Sequence, residues 1–246
     1  MGKAIYPDNC LLNTMSSACR PANEVSRVKR SKAEAAKTYD MLSSVYDLLS
    51  AGVEWKWTEI GLQMLRVGEN ETVLEIGFGT GKALMTLAQA AGQGGGVCGV
   101  DISMGMIETT RERVRSAHLD SVVDLIAGDG TRLPLKSESV DAVFMSFVLE
   151  LFDSPEIPVV LAESLRVLRR GGRLCVVALS TEGRRGSIRR MYEWTHRHFP
   201  RYADCRPICI GDFLHGAGFE ISKSELHSMW GLSVGVVLGE KLWFEH

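Results

Sequence analysis

The 246-residue chain lacks the long apolar runs of a membrane protein. No stretch approaches the roughly 20 apolar residues that cross a bilayer, and Pro7 and Asp8 interrupt the N-terminal residues where a signal peptide would have its apolar core. Positive charge is not in excess either, because 28 Lys and Arg face 30 Asp and Glu, whereas nucleic-acid-binding domains are usually basic. We therefore expect a cytoplasmic protein with no integral membrane segment and no nucleic-acid partner.

Signatures of metal binding are also missing. The six cysteines form no Cys-x-x-Cys pair, and no Cys/His cluster has the spacing of a zinc site. No acidic triad of the kind that holds magnesium stands out. We predict no metal, and we expect Cys98 and Cys175, which lie in apolar runs, to act as small apolar residues in a reducing compartment.

Two common nucleotide-binding patterns are absent as well. The dinucleotide fingerprint places its third glycine three positions after the second, but here Gly77, Gly79 and Gly81 alternate. A phosphate-binding P-loop would continue Gly-Lys-Ser or Gly-Lys-Thr, but Lys82 is followed by Ala83. The glycine turn therefore belongs to a different kind of site.

The most informative segment is Val73–Gly81, which reads VLEIGFGTG. Its apolar part predicts a buried strand, and its glycines predict a turn whose backbone approaches a ligand closely. The helix expected after it would aim its N-terminal amides at that ligand. Glu75 lies within the apolar run, where a carboxylate is costly unless it is paired. It would repel a pyrophosphate and suit a cationic amino group.

Strands and helices alternate after this point, which predicts a mostly parallel sheet covered by helices on both faces. The last two strands are joined by a short connector near Ser228, so they can pair antiparallel. The predicted strands are Thr72–Ile76, Gly96–Val100, Val122–Ala127, Val140–Phe147, Arg173–Leu179, Phe219–Leu226 and Gly231–Leu238. The predicted helices are one starting at Ser31, then Trp55–Leu65, Gly81–Ala91, Met104–Ala117, Pro155–Leu168, Ser187–His198 and Ile210–Ala217.

Polar residues follow the predicted strands where a parallel sheet binds its ligands. Asp101 comes about 20 residues after the glycine turn, where an acid can accept hydrogen bonds from ribose hydroxyls, and Asp129 follows the third strand. Ser146 and Phe147 end the fourth. Either aspartate alone could instead cap a helix or shape a turn, but suitable residues at four consecutive strand ends favour a site.

Val73–Gly81 resembles the first motif of class I S-adenosylmethionine-dependent methyltransferases, in which an acid-containing glycine turn binds the methionyl end of the cofactor. Further motifs resemble those of the ubiquinone/menaquinone-biosynthesis methyltransferase group. These motifs are Tyr39-Asp40, Tyr46-Asp47, Trp55-Lys56-Trp57, Gly128–Leu135 and Val167–Gly172.

The resemblance implies a Rossmann-like seven-stranded sheet with a C-terminal antiparallel hairpin. It implies S-adenosylmethionine as cofactor and S-adenosylhomocysteine as product, with Asp129 near the adenine amino group. The residues that it implies for cofactor binding are Tyr39, Tyr46, Glu75, Gly77, Phe78, Gly79, Gly81, Asp101, Ile102, Met106, Asp129, Gly130, Ser146 and Phe147.

From the predicted elements and this resemblance, we expect a flexible N-terminal arm, residues 1–30, and a single methyltransferase domain, residues 31–246. Within that domain we expect four parts. They are an N-terminal helical lid at 31–66, a cofactor-binding core at 67–180, an acceptor-side insertion at 181–218 and a C-terminal hairpin at 219–246.

These motifs define the cofactor better than the methyl acceptor. We expect a small, apolar or aromatic acceptor that resembles a quinone precursor. Transfer to the nitrogen or sulfur of a small amine or thiol stays open, as does a protein that binds S-adenosylmethionine without catalysis. No Asn/Asp-Pro-Pro-Tyr/Phe motif follows the fourth strand, which disfavours methylation of adenine or glutamine amino groups.

A general base is needed only if the acceptor loses a proton. The candidates are His196, Tyr46 and Glu150. A homodimer, and transient contact with a membrane surface if the acceptor is lipophilic, are further partner hypotheses.

Overall fold

The computed structural model describes residues 51–182 and 206–242. In these ranges helices and strands alternate around one sheet, and a short 3-10 turn covers Leu149–Leu151. The helices are α1 (Ala51–Leu65), α2 (Lys82–Ala91), α3 (Met104–Ser116), α4 (Ile157–Val167) and α5 (Ile210–Gly216). The strands are β1 (Thr72–Ile76), β2 (Gly96–Asp101), β3 (Val123–Ala127), β4 (Val140–Ser146), β5 (Leu168–Leu179), β6 (Phe219–Met229) and β7 (Leu232–Lys241).

The sheet has seven strands in the order β3-β2-β1-β4-β5-β7-β6. Strands β1 to β5 run parallel, and β7 lies antiparallel between β5 and β6. The predicted sheet with its C-terminal hairpin is therefore confirmed. Because β2 and β4 lie on opposite sides of β1, the strand order reverses between β1 and β4. Ligands of open α/β sheets bind at such a switch point, outside the carboxyl ends of the strands.

Helices cover both faces, and successive residues of each central strand alternate between the two cores. In β1, Val73 packs in the layer that contains α1, α2 and α3, whereas Leu74 packs in the layer that contains α4 and α5. Val143 and Phe144 divide in the same way in β4. This burial on both faces explains why the central strands read as almost continuous apolar runs.

The element bounds differ from the predicted ones at two places. Strand β5 begins at Leu168 and not at Arg173, directly after α4 ends at Val167, and the hairpin differs as well. Strands β6 and β7 continue to Met229 and from Leu232, so the turn is the residue pair Trp230-Gly231 and not a connector near Ser228. Both residues have positive φ, 50° and 82°, as in the type I′ turn, one of the two-residue turns that match the strand twist. The helices predicted from Ser31 and over Ser187–His198 lie outside the described residues.

At the amino-terminal ends of the strands, opposite the switch point, Arg173 connects α1 to the sheet. Its guanidinium donates to both carboxylate oxygens of Glu71, at 3.0 and 2.7 Å. It also donates to the carbonyl oxygens of Leu65 (2.6 Å) and Arg66 (2.8 Å) at the end of α1. A bidentate contact combined with two carbonyl acceptors requires the planar fork of arginine. This contact fixes the position of α1 above the sheet.

We expect Arg173→Lys to lower the free energy of unfolding by about 1–3 kcal/mol, because a lysine cannot keep all four hydrogen bonds. Arg170→Lys is the matched control, since Arg170 contacts Glu138 only at 3.6 Å with both side chains half exposed. Urea unfolding at pH 7 measures both variants. Equal stability of the two would show that the Arg173 contacts do not hold α1.

The Arg173 hydrogen bond also lowers the pKa of Glu71. A carboxyl whose pKa is depressed on folding stabilises the protein above its ordinary pKa and loses this contribution as the pH falls. The difference between wild type and Arg173→Lys should therefore narrow below about pH 4.5.

Candidate active site

The glycine turn after β1 contains three residues in the left-handed region. The φ angles of Gly77, Gly79 and Gly81 are 69°, 52° and 79°. A Cβ would come within 2.3 Å of Val148 at Gly77 and within 2.3 Å of Thr110 at Gly81. At Gly79, no atom of the part of the chain described lies within 4 Å of that position. Gly77 and Gly81 thus allow the turn to pack against the protein, while Gly79 leaves open space for a ligand.

Asp101 at the end of β2 holds this turn. Its Oδ2 accepts a hydrogen bond from the Gly79 amide at 2.9 Å, and its Oδ1 accepts one from the Ser103 amide at 2.9 Å. The side chain that caps α3 is Ser103, whose Oγ accepts from the Met106 amide at 3.2 Å. Asp101 is therefore not the helix cap.

Glu75 is 2% exposed in the centre of the sheet, between Gly99 of β2 and Phe144 of β4. Its Oε2 makes no hydrogen bond with any residue in the described ranges. Burial first, and then the negative charge of Asp101, raise the pKa of this carboxyl well above its ordinary value. A buried carboxylate with an unused oxygen is costly, and a cationic group bound beside it would offset that cost. This arrangement fits the ammonium group of a bound amino acid.

Apolar and acidic groups line the edge of the sheet beyond Asp101. Ile102 is 38% exposed although its side chain is apolar, and such a surface suits the face of a flat ring. Asp129 shapes the turn after β3, since its Oδ1 accepts from the Thr131 amide at 2.9 Å. Gly130 lies in close contact with Ile76 and Phe152, because a Cβ there would come within 3.0 Å of both.

The other side of the switch point is formed by the end of β4. Phe147 has a φ of 53°, an uncommon conformation for a bulky residue that costs about 1–3 kcal/mol and is typical of functional sites. Its amide donates to the Val177 carbonyl at 2.7 Å. The Ser146 and Thr58 hydroxyls are hydrogen-bonded at 2.8 Å, which fixes α1 across the end of β4.

Two carboxyl groups accompany this end of the sheet. Glu150 is fully buried, and burial, as the largest cause, raises its pKa to about 8. Burial also raises the pKa of Glu54 in α1 to about 7. Glu54 was not among the residues predicted from the sequence. Its only signal there is an acid beside the apolar residues at the start of a helix, which is also common at ordinary helix ends.

The structure brings most of the predicted residues to one edge, at the carboxyl ends of β1 to β4. Phe78 and Met106 differ, because both side chains are buried in the protein, and the Phe78 ring packs at the Gly99 backbone. Their side chains do not line an open surface, since the Phe78 ring faces the core from the glycine turn and Met106 lies on the buried side of α3. Tyr39, Tyr46 and His196 lie outside the described residues.

The next question is whether this part of the sheet could hold a metal ion. Within residues 51–182 and 206–242, no group of three or more His, Cys, Asp or Glu side chains is placed to hold a metal ion. That the protein needs no metal stays a prediction.

Comparison with known proteins gives the family. A methyltransferase-domain model matches residues 73–172. The demethylmenaquinone methyltransferase of Listeria welshimeri is 32% identical over 148 residues, covering 58% of this chain and 61% of that protein. The ubiquinone/menaquinone biosynthesis C-methyltransferase UbiE of Sinorhizobium fredii is 30% identical over 172 residues, covering 69% and 64%. The chain thus spans about three-fifths of the length of these relatives.

Solved structures show the same fold. The [4+2]-cyclase SpnF has a TM-score of 0.72 at 16% identity and covers 89% of this chain and 98% of its own. A SAM-dependent methyltransferase from Aquifex aeolicus has a TM-score of 0.58 at 21% identity and covers 87% and 100%. Geranyl diphosphate methyltransferase in complex with SAM has a TM-score of 0.60 at 17% identity and covers 75% and 84%.

We expect Glu75→Gln to weaken S-adenosylmethionine binding about 10- to 100-fold, because the amide removes one charge-assisted contact to the ligand's ammonium. The same change should leave the thermal midpoint of the ligand-free protein equal or higher, since it removes a buried ionisable group. Isothermal titration and thermal unfolding measure the two effects. Glu220→Gln, on the exposed side of β6, is the control; equal affinity in the two variants would remove Glu75 from the site.

The family follows from three independent observations. The sheet reverses its strand order beside a glycine turn that contains a buried acid, acids follow the next two strands, and the methyltransferase-domain model matches this same region. These observations confirm the predicted fold, and the predicted cofactor is the one this family uses. The chain belongs to the class I S-adenosylmethionine-dependent methyltransferases, close to the ubiquinone/menaquinone-biosynthesis group.

Proposed function

We propose that this protein transfers a methyl group from S-adenosylmethionine to a small, apolar or aromatic acceptor of the quinone-precursor type. The observation that carries the proposal is the buried Glu75 carboxyl at the switch point of the sheet, with an oxygen unpaired among the described residues. The relatives named above, at 30–32% identity, support a quinol-like acceptor.

The residues at the sheet edge divide the cofactor between them in this proposal. Glu75 and the backbone around Gly79 bind the amino-acid end, Asp101 binds the ribose hydroxyls, and Ile102 and Asp129 bind the adenine ring. When bound, S-adenosylmethionine supplies a methyl group on a positively charged sulfur. The unexplained burial of Glu75 and the free space at Gly79 support this assignment.

The protein's remaining task is to hold the acceptor in line and to exclude water. Phe147 and Ser146, at the end of β4, are the residues that we assign to the acceptor side, since β4 lies across the switch point from the β2 edge assigned to the ribose. Glu150 is our candidate to receive a proton from the acceptor. Tyr46 and His196 stay candidates for the same role on sequence grounds.

Two alternatives keep the cofactor but change the function. Transfer to a small amine or thiol would use the same cofactor residues. A protein that only binds S-adenosylmethionine would have no use for a second buried carboxyl group beside the acceptor side, and this disfavours it.

Location and assembly belong to the proposal as well. No helix in the part of the chain that the structure describes has the length and apolarity to span a bilayer. A cytoplasmic location, a homodimer and transient access to a membrane surface stay predictions.

The direct test is transfer of labelled methyl from S-adenosylmethionine to a reduced 1,4-naphthoquinone that carries a short prenyl chain and no methyl group. We expect a methylated quinol, and Asp101→Ala should lower kcat/KM for S-adenosylmethionine about 10- to 100-fold through lost ribose contacts. Asp120→Ala, in an exposed loop, is the control. Cofactor binding without quinol methylation, but with label in a panel of amines and thiols, would replace the proposed acceptor.

A further inference from the structure

A chain of two hydrogen bonds joins α1 to the end of β4. The Ser146 and Thr58 hydroxyl oxygens are 2.8 Å apart, and the Thr58 hydroxyl donates to the Glu54 carbonyl oxygen at 3.2 Å. Within residues 51–182 and 206–242, Thr58 is the one hydrogen-bond partner of the Ser146 hydroxyl. What Ser146 can offer to a ligand therefore depends on which of the two hydroxyls donates to the other.

Close packing of α1 on the sheet holds the two hydroxyls together. A Cβ at Gly61 would lie 2.4 Å from the Val177 side chain and 3.1 Å from the Phe144 ring, so the α1 backbone packs directly on side chains of β4 and β5. Thr58 is three residues before Gly61 and lies on the same face of the helix. Because Thr58 is only 7% exposed, its hydroxyl needs its hydrogen-bond partners inside the protein.

The Thr58 hydroxyl has a single hydrogen, and this determines the direction of the chain of hydrogen bonds. A carbonyl oxygen can only accept, so the contact with Glu54 uses the Thr58 hydrogen, and Thr58 Oγ1 then accepts from Ser146. The opposite direction, in which Thr58 donates to Ser146, keeps one hydrogen bond instead of two. Since one hydrogen bond favours an arrangement about 5-fold, the two-bond direction predominates. Ser146 therefore has lone pairs to offer to a ligand and no hydrogen.

Ser146 lies at the switch point of the sheet, on the same face as Glu75. Glu75 of β1 pairs with Phe144 of β4, and Phe144 packs in the core layer that contains α1. Ser146 is two residues beyond Phe144, so it faces the same side, about 7 Å nearer the carboxyl end of the strand. It is partly exposed, although Met145 and Phe147 on either side of it are buried. A ligand that extends from Glu75 toward this end of the sheet therefore contacts Ser146.

We propose that Ser146 accepts a hydrogen bond from a hydroxyl group of the methyl acceptor, and that Thr58 keeps Ser146 in the accepting role. Ser146 is then a specificity-determining residue, and Thr58 is a positioning residue that acts through it. The inference rests on the proposed function for its substrate. The ammonium group of S-adenosylmethionine is also a hydrogen-bond donor, but Glu75 already provides it with a partner of opposite charge, so we assign Ser146 to the acceptor.

Such a site distinguishes a hydroxyl from a carbonyl at the same position of the acceptor. A quinol carries a hydrogen on each oxygen and can donate to Ser146, whereas the oxidised quinone has only carbonyl oxygens, which accept. To bind the quinone, Ser146 has to donate, and this requires Thr58 to turn its hydrogen away from Glu54 and lose one hydrogen bond. The two hydroxyls therefore favour the reduced ring, which is the electron-rich form that can attack a methyl group.

Ligand binding to the complex with S-adenosylhomocysteine tests this selectivity without methyl transfer. The probes are 2,3-dimethyl-1,4-naphthoquinone and its quinol, kept anaerobic, since the two methyl groups block both methylation and the addition of thiols to the ring. We expect wild type to bind the quinol about 10-fold more tightly than the quinone. Ser146→Ala should weaken quinol binding and reduce this ratio to about 2-fold or less.

Thr58→Val gives a result that the loss of a purely structural contact does not give. Without a hydroxyl at position 58, Ser146 has a hydrogen to donate, so we expect the quinone to bind about 5-fold more tightly than in wild type, while quinol binding changes about 2-fold or less. Thr58→Ser retains the hydroxyl and should keep the wild-type ratio. Thr109→Val is the matched control, because the Thr109 hydroxyl donates to a carbonyl of its own helix, that of Gly105, at 2.9 Å.

The possible outcomes separate this inference from the proposed function. A wild-type ratio in Ser146→Ala, or no gain of quinone affinity in Thr58→Val, would overturn the inference and leave the quinol-type acceptor in place. If Ser146→Ala instead weakens S-adenosylmethionine binding in isothermal titration and leaves the ratio unchanged, Ser146 binds the ammonium group of the cofactor and the inference is wrong. If neither probe binds to wild type, the acceptor class of the proposed function is wrong, and the inference fails with it.

Discussion

The carboxyl group of Glu75 occupies the centre of an apolar sheet, where an isolated charge is unstable. Several other features of the site follow from its position. The strand order reverses beside it, the glycine turn that begins at Gly77 leaves space in front of it, and Asp101 holds that turn through the Gly79 amide. Each of these features brings a backbone or a side chain close to the place where a cation would neutralise Glu75.

The molecule separates stability from function along the strand direction. At one edge of the sheet, Arg173 joins the end of α1 to Glu71 with four hydrogen bonds. At the other edge lie groups that cost free energy when no ligand is bound, namely the Glu75 and Glu150 carboxyls and the left-handed Phe147. Such groups persist only where the surrounding structure determines their positions. The first edge provides part of this support, since it fixes α1, whose Thr58 reaches Ser146 at the second.

The sequence was sufficient for the features that depend on local pattern. Apolar runs locate the central strands, and the alternate glycines with Glu75 indicate the turn and the charge of its ligand. Side-chain direction within the turn was not predictable in this way. Phe78 belongs to the motif, but its ring packs into the core at Gly99, and the order of residues in the motif does not encode that direction.

Contacts between distant segments were the second feature beyond reach. Glu54 reads as an ordinary acid near a helix start, but its carboxyl is partly buried and its pKa is raised, and no spacing in the sequence encodes the packing of α1 across β4 and β5. Glu150 was identified as a candidate, but its burial and its contact with the Leu179 amide at the end of β5 join segments that are distant in the sequence. The hairpin turn was misplaced because Trp230 is not a residue that usually adopts positive φ.

The central claim, that Glu75 exists to bind the cationic end of S-adenosylmethionine, has a direct calorimetric test. Because burial raises the pKa of Glu75 in the ligand-free protein and a bound ammonium would lower it, binding at pH 7 should release a proton. Titration in buffers of different ionisation enthalpy counts that proton. We predict proton release in wild type that is lost in Glu75→Gln. Binding with the same affinity and the same proton count in both proteins would contradict the account.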